Sequence, residues 1–167
     1  MPAIHSDIMA KIWDTASVLD RMRTLCSVRE YCSSDIKKKA LTLLDGNTED
    51  VQMVLESLIN DGYIDDMRYC SAYARDKSSI SGWGTAKIRY MLSGKGMPEE
   101  IIRNALAEID EEKAGNRLEK LLMTRNAAMK DDPLKRQKLI RYALGRGYTY
   151  DAVIAAIDKI RRNNTNL

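Results

Sequence analysis

The chain has no phenylalanine, only three prolines and a single histidine among 167 residues. So little proline, and so few runs of β-branched residues, favour helices over strands. Large-side-chain packing falls instead to nine methionines and eight tyrosines. No stretch approaches the roughly 20 consecutive apolar residues that a membrane-spanning helix requires. Met1 to Ala10 carries Asp7 and has no basic region followed by an apolar run, so no signal peptide is expected. The three cysteines, Cys26, Cys32 and Cys70, are odd in number and show no Cys-x-x-Cys spacing. They read as free, buried or half-buried thiols of a cytoplasmic protein.

The signatures of common reaction centres are missing as well. His5, the one histidine, sits near a chain end, which leaves no histidine constellation for acid–base or metal chemistry. There is no Gly-x-x-x-x-Gly-Lys-(Ser/Thr) phosphate loop, and no dinucleotide fingerprint follows a strand pattern. Asp65-Asp66 and Asp110-Glu111-Glu112 read as helix caps rather than metal ligands. We therefore expect a binding protein, not an enzyme, with no cofactor and no metal.

What is present is a globular balance: 44% hydrophobic and 31% charged residues, with a net charge of +3. The charge is unevenly spread. Residues 1–64 hold seven basic and ten acidic side chains (7 − 10 = −3), and residues 65–110 hold seven of each. Residues 111–167 hold thirteen basic against seven acidic (13 − 7 = +6). A basic final third suits a nucleic-acid footprint or a solvated helical surface.

An internal repeat organises the chain. Val51, Val54, Leu55 and Leu58 lie at i, i+3, i+4 and i+7, as do Ile102, Ala105, Leu106 and Ile109, and then Val153, Ala156, Ile157 and Ile160. Each set is one stripe of an amphipathic helix, and successive sets are displaced by 51 positions (102 − 51 and 153 − 102). Before the second and third stripes stand two similar segments, Lys87 to Gly96 and Lys138 to Gly147, each a basic amphipathic helix ending in Gly-(Lys/Arg)-Gly. The first copy, Ile36 to Gly46, has one glycine and a turn expected to be one residue shorter. Glycine after a helix fits a left-handed C-cap. Thr48 and Thr149 offer N-cap hydroxyls, Pro98 suits a first helical position, and Asp132-Pro133 suits an earlier helix start. Opening helices are expected over roughly 15–31, 66–77 and 111–129.

The expected architecture is all-α: three tandem three-helix, helix-turn-helix-like repeats in an elongated, curved array. Its boundaries are an N-terminal extension over 1–14, repeats over 15–64, 65–110 and 111–162, and a disordered tail over 163–167. One such repeat has too little core to stand alone.

Against that background, several segments resemble the RecX family. Gly62-Tyr-Ile-Asp-Asp-Met-Arg-Tyr-Cys-Ser-Ala-Tyr73 is similar to the family's junction between its first two repeats. Gly82-Trp83-Gly84, followed by Lys87-Ile88-Arg89 and Lys95-Gly96-Met97, is similar to its next signature. Arg146-Gly147-Tyr148 with Tyr150-Asp151 resembles its C-terminal ending, and Ser27 to Ser33 its N-terminal stretch. Cys32 and Cys70 stand where small residues are commoner, and Asp76 to Ser81 is less basic than usual before the Gly-Trp-Gly turn. The resemblance covers about residues 20–160. It implies a regulator, mainly a negative modulator, of the RecA recombinase that lies in the groove of the RecA–DNA filament, with consequences for recombination, DNA repair and the SOS response. Some members bind DNA directly, single- or double-stranded. The rival readings are a helix-turn-helix-like DNA binder acting without RecA and a helical-repeat scaffold. A monomer is expected.

Candidate contact residues follow from the repeat. Lys87, Arg89 and Lys95 sit at places similar to those of Lys138, Arg141 and Arg146, a basic row for phosphates or acidic patches, or else a set that keeps helix surfaces soluble. Lys37, Lys38 and Lys39 form a similar cluster in more acidic surroundings. Trp83 is either a plug over a helix junction or an exposed contact. Tyr69, Tyr73, Tyr90, Tyr142, Tyr148 and Tyr150 either stack on bases or pack at junctions, and their helical spacing favours packing for most.

Overall fold

The computed structural model describes residues 13–163. His5, nearly all of the expected N-terminal extension and the tail beyond Asn163 lie outside the described residues. Among those described, nine helices and no strand occur. In order they are α1 (Thr15–Val28), α2 (Ser33–Leu43), α3 (Thr48–Asn60), α4 (Asp66–Ser79), α5 (Thr85–Gly94), α6 (Glu99–Ala107), α7 (Glu111–Ala127), α8 (Lys135–Gly145) and α9 (Tyr150–Asn163). No helix of the described residues is long and apolar enough to cross a membrane. The helices group in threes, every member packing on the other two of its triplet. They form two compact units that meet at Asp65/Asp66: α1–α3 make the first, and α4–α9 the second.

The repeated stripes are where burial falls. In the first unit Val51, Val54, Leu55 and Leu58 of α3 close on Val18 and Met22 of α1 and on Ile36 and Ala40 of α2. Fully burying side chains of this size stabilises by about 1.5–3 kcal/mol each. In the second unit Ile102 and Ala105 of α6 join Cys70, Ala74, Ile88 and Leu92 in the core, with Leu106 and Ile109 half-buried. Val153, Ala156, Ile157 and Ile160 of α9 pack with Leu118 and Leu122 of α7 and with Leu139 and Ala143 of α8. Within this unit α4 also packs on α7, which joins the second triplet to the third. Cys32 and Cys70 are buried and Cys26 is half-buried, within the range that the sequence reading expects.

Helix ends follow the expected chemistry with some shifts of position. Asp14 and Asp110 cap α1 and α7 by accepting from the Ser17 and Lys113 amides at 2.7 and 3.0 Å. The Thr149 hydroxyl accepts from the Ala152 amide at 3.3 Å. The cap of α3 is Asn47, which accepts from Asp50, and Thr48 is already helical; an amide one residue earlier competes better for the same donors. Pro98 occupies the capping position and Glu99 opens α6. Asp132 binds the Leu134 amide in a turn, so α8 begins only at Lys135. The turn expected to be shorter in the first repeat is not: residues 44–47, 95–98 and 146–149 are three linkers of four residues. Asp45 and Gly46 both take positive φ there, so the backbone turns tightly without losing a residue. Gly96 and Gly147, at φ 76° and 86°, terminate α5 and α8. Each lets the following amide reach back five residues, from Met97 to Leu92 and from Tyr148 to Ala143.

Candidate partner-binding surface

The site begins with a loop between α4 and α5. Gly82-Trp83-Gly84 is pressed onto the turn between α8 and α9. The Gly84 amide donates to the Arg146 carbonyl at 2.8 Å, and the Ala86 amide donates to the Gly147 carbonyl at 3.2 Å. A Cβ at Gly84 would overlap the Gly147 backbone, and one at Gly82 would press on Leu121. Gly84 is therefore required by close approach to backbone, and Gly82 by its positive φ of 63°. Arg146 completes the joint. Its guanidinium donates to the Ser81 carbonyl at 2.7 Å and to Gly82 at 3.4 Å, and it lies 5.0 Å from the centre of the Tyr142 ring.

From this loop a continuous chain of rings and cations runs over α4 and α5. The Lys87 ammonium lies 4.4 Å from the Trp83 ring centre and Lys77 lies 4.9 Å from it. Lys77 also approaches the Tyr73 ring at 5.4 Å. Tyr73 stacks on Tyr69 at 6.0 Å, and Lys95 approaches Tyr69 at 5.7 Å. All three rings are half-buried. Burial raises the Tyr73 pKa, and the nearby Lys95 charge partly opposes that shift.

The six residues expected to form a basic row thus have different settings. Lys87 and Lys95 share the aromatic chain. Arg146 is half-buried beneath its Trp83 end and is engaged with backbone carbonyls. Arg89 pairs with Glu99, and Lys138 pairs with Asp132 at 2.6 Å. Arg141 is exposed and makes no ion pair among the described residues; it borders an apolar surface groove with Ile140 and Leu144. Lys77 escaped sequence reasoning. Its signal was the Tyr69, Tyr73, Lys77 spacing of four, which places the three on one helix face. Tyr148 is buried, whereas Tyr90 and Tyr150 are exposed at 76% and 57% and pack little. In the first unit Tyr31 lies beneath Arg29 at 4.4 Å and Lys39 at 5.7 Å, while Lys37 and Lys38 are exposed.

Fold and surface together define an all-α protein of three-helix modules that carries a lysine–aromatic strip. Residues 65–106, the second triplet, match the family model described as RecX, second three-helix domain. Over 150 residues the chain is 27% identical to the regulatory protein RecX of Prosthecochloris aestuarii, an alignment covering 90% of this chain and 97% of the relative. A crystal structure of a regulatory protein RecX superposes with a TM-score of 0.77 at 27% identity, over 86% of this chain and 71% of that one. RecX from Lactobacillus salivarius shares the fold, with a TM-score of 0.78 at 20% identity over 87% of this chain and 95% of that one. The RecX-family resemblance read from the motifs is borne out, and it extends over nearly the whole chain.

Proposed function

We propose that this chain is a non-catalytic regulator, mainly a negative modulator, of a RecA recombinase, acting as a cytoplasmic monomer on the RecA–DNA filament. The observation that carries this reading is likeness to regulatory proteins named RecX along 90% of the chain. The lysine–aromatic strip supports it, because ammonium groups suit phosphates or the acidic side chains of a protein surface. Arg141 and the apolar groove beside it offer a further contact with the filament. Gel filtration and cross-linking with RecA assembled on single-stranded DNA test the proposal. Co-elution with the filament is expected. Elution apart from it, with salt-sensitive binding to bare duplex DNA instead, would favour the reading as a DNA binder that acts without RecA.

A further inference from the structure

Two loops of the chain carry the same device at the same place in the repeat. Tyr31 stands between α1 and α2, and Trp83 between α4 and α5. Each lies five residues before the first buried residue of the helix that follows it, Ile36 and Ile88 (36 − 31 and 88 − 83). Each ring is met by two cations, one from the chain before it and one from the following helix. Arg29 lies 4.4 Å from the Tyr31 ring centre, and Lys39 of α2 lies 5.7 Å from it. Lys77 of α4 and Lys87 of α5 lie 4.9 and 4.4 Å from the Trp83 ring centre. In the third triplet the corresponding residue, five before Leu139 (139 − 134), is Leu134, which has no ring. Among the described residues the device therefore occurs twice.

None of these four cations pairs with a carboxylate among the described residues. Each device thus brings two like charges to one ring, whose negative face offsets only part of their repulsion. An anion met by both cations offsets the rest. Two features decide which anion fits. Tyr31 is 8% exposed, so its ring has no open face on which a base could stack. The modules that hold the devices are also acidic or neutral: −3 over residues 1–64 (7 − 10) and 0 over residues 65–110 (7 − 7). Duplex DNA carries one charge per about 1.7 Å of its axis, which favours a surface with a basic excess. Single carboxylates on a protein surface need only the local pair of cations.

We infer that Tyr31 with Arg29 and Lys39 is a second contact point, matched to Trp83 with Lys77 and Lys87, and that both receive carboxylates recurring on successive protomers of a protein filament. A device used twice in one chain fits a partner that repeats its own surface. Two contacts on one chain also reinforce each other, because the second engages intramolecularly once the first has formed. The inference rests on the filament reading above and adds the first unit to it.

The test is the affinity of the full chain and its charge variants for RecA assembled on immobilised single-stranded DNA, and for the same strand bare. Arg29→Glu/Lys39→Glu and Lys77→Glu/Lys87→Glu should each weaken filament binding by about tenfold or more. The four changes together should weaken it by more than either pair. Arg29→Lys/Lys39→Arg and Lys77→Arg/Lys87→Arg keep the charge and should stay within about twofold of the parent. Where a reversal lowers the melting temperature, Arg29→Gln/Lys39→Gln or Lys77→Gln/Lys87→Gln takes its place, with a loss in the same direction. An Arg29→Glu/Lys39→Glu variant that binds the filament as tightly as the parent would overturn the inference and leave the filament reading untouched. Loss of bare-strand binding by the same factor as filament binding would overturn it in favour of phosphates. A parent chain that does not bind the filament would remove the filament reading, and this inference with it.

Discussion

Gly84 and Gly147 lie backbone against backbone, joined through the 2.8 Å hydrogen bond from the Gly84 amide to the Arg146 carbonyl. A side chain on Gly84 would overlap Gly147, and one on Gly147 would overlap Lys87. The contact fastens the loop before α5 to the turn after α8, so the second and third triplets meet at two residues with no side chain that lie 63 positions apart (147 − 84). It also holds Trp83 at the head of the lysine–aromatic strip.

Gly84→Ala and Gly147→Ala should each destabilise the second unit by about 1–3 kcal/mol, the usual cost of overpacking. Together they should cost less than the sum, because both disrupt one contact. Gly94→Ala, where a Cβ meets open space, should be neutral or slightly stabilising. Urea unfolding of the three single variants and the double variant checks this.

Arg146 and Arg141 separate joint from surface. Arg146→Ala removes donors from the Ser81 and Gly82 carbonyls and should lower stability by about 1–3 kcal/mol. Arg146→Lys should recover only part of it, since an ammonium lacks the planar fork. Arg141→Glu should leave the thermal transition unmoved and weaken filament binding. Differential scanning calorimetry alongside filament co-elution distinguishes the two.

The helix stripes were legible because burial repeats with the helical period, and three copies 51 residues apart reinforce one another. The opening helices, the caps at Asp110 and Thr149 and the glycine stops could be read for the same local reason. What escaped reading depends on distance along the chain. The need for glycine at 84 comes from Gly147, and the role of Arg146 comes from carbonyls about 65 residues away. A sequence pattern that made Arg146 equivalent to Lys95 could not show that one grips backbone while the other lies over Tyr69. Asn47 and Thr48 are both competent caps, so only the backbone decides between them.

Tyr148 gives a pH signature. Burial raises its pKa above the ordinary tyrosine value, with the Arg146 and Arg117 charges opposing the shift. Its neutral form is therefore favoured in the fold. The stabilisation is fully present below about pH 10, the unfolded pKa, and is lost as pH rises towards the higher folded value. The hydroxyl has no hydrogen-bond partner among the described residues, so Tyr148→Phe should cost nothing at neutral pH. It should also flatten the alkaline fall in the urea midpoint, measured from pH 8 to about pH 11.

The most direct test of the account is the rate of ATP hydrolysis by RecA on single-stranded DNA as this protein is titrated in. The parent chain should depress the rate in a saturable way. The variant Lys77→Glu/Lys87→Glu, altered only on the strip beside Trp83, should need about tenfold more protein for the same effect. A hydrolysis rate that stays constant at every concentration of the parent chain would contradict the account.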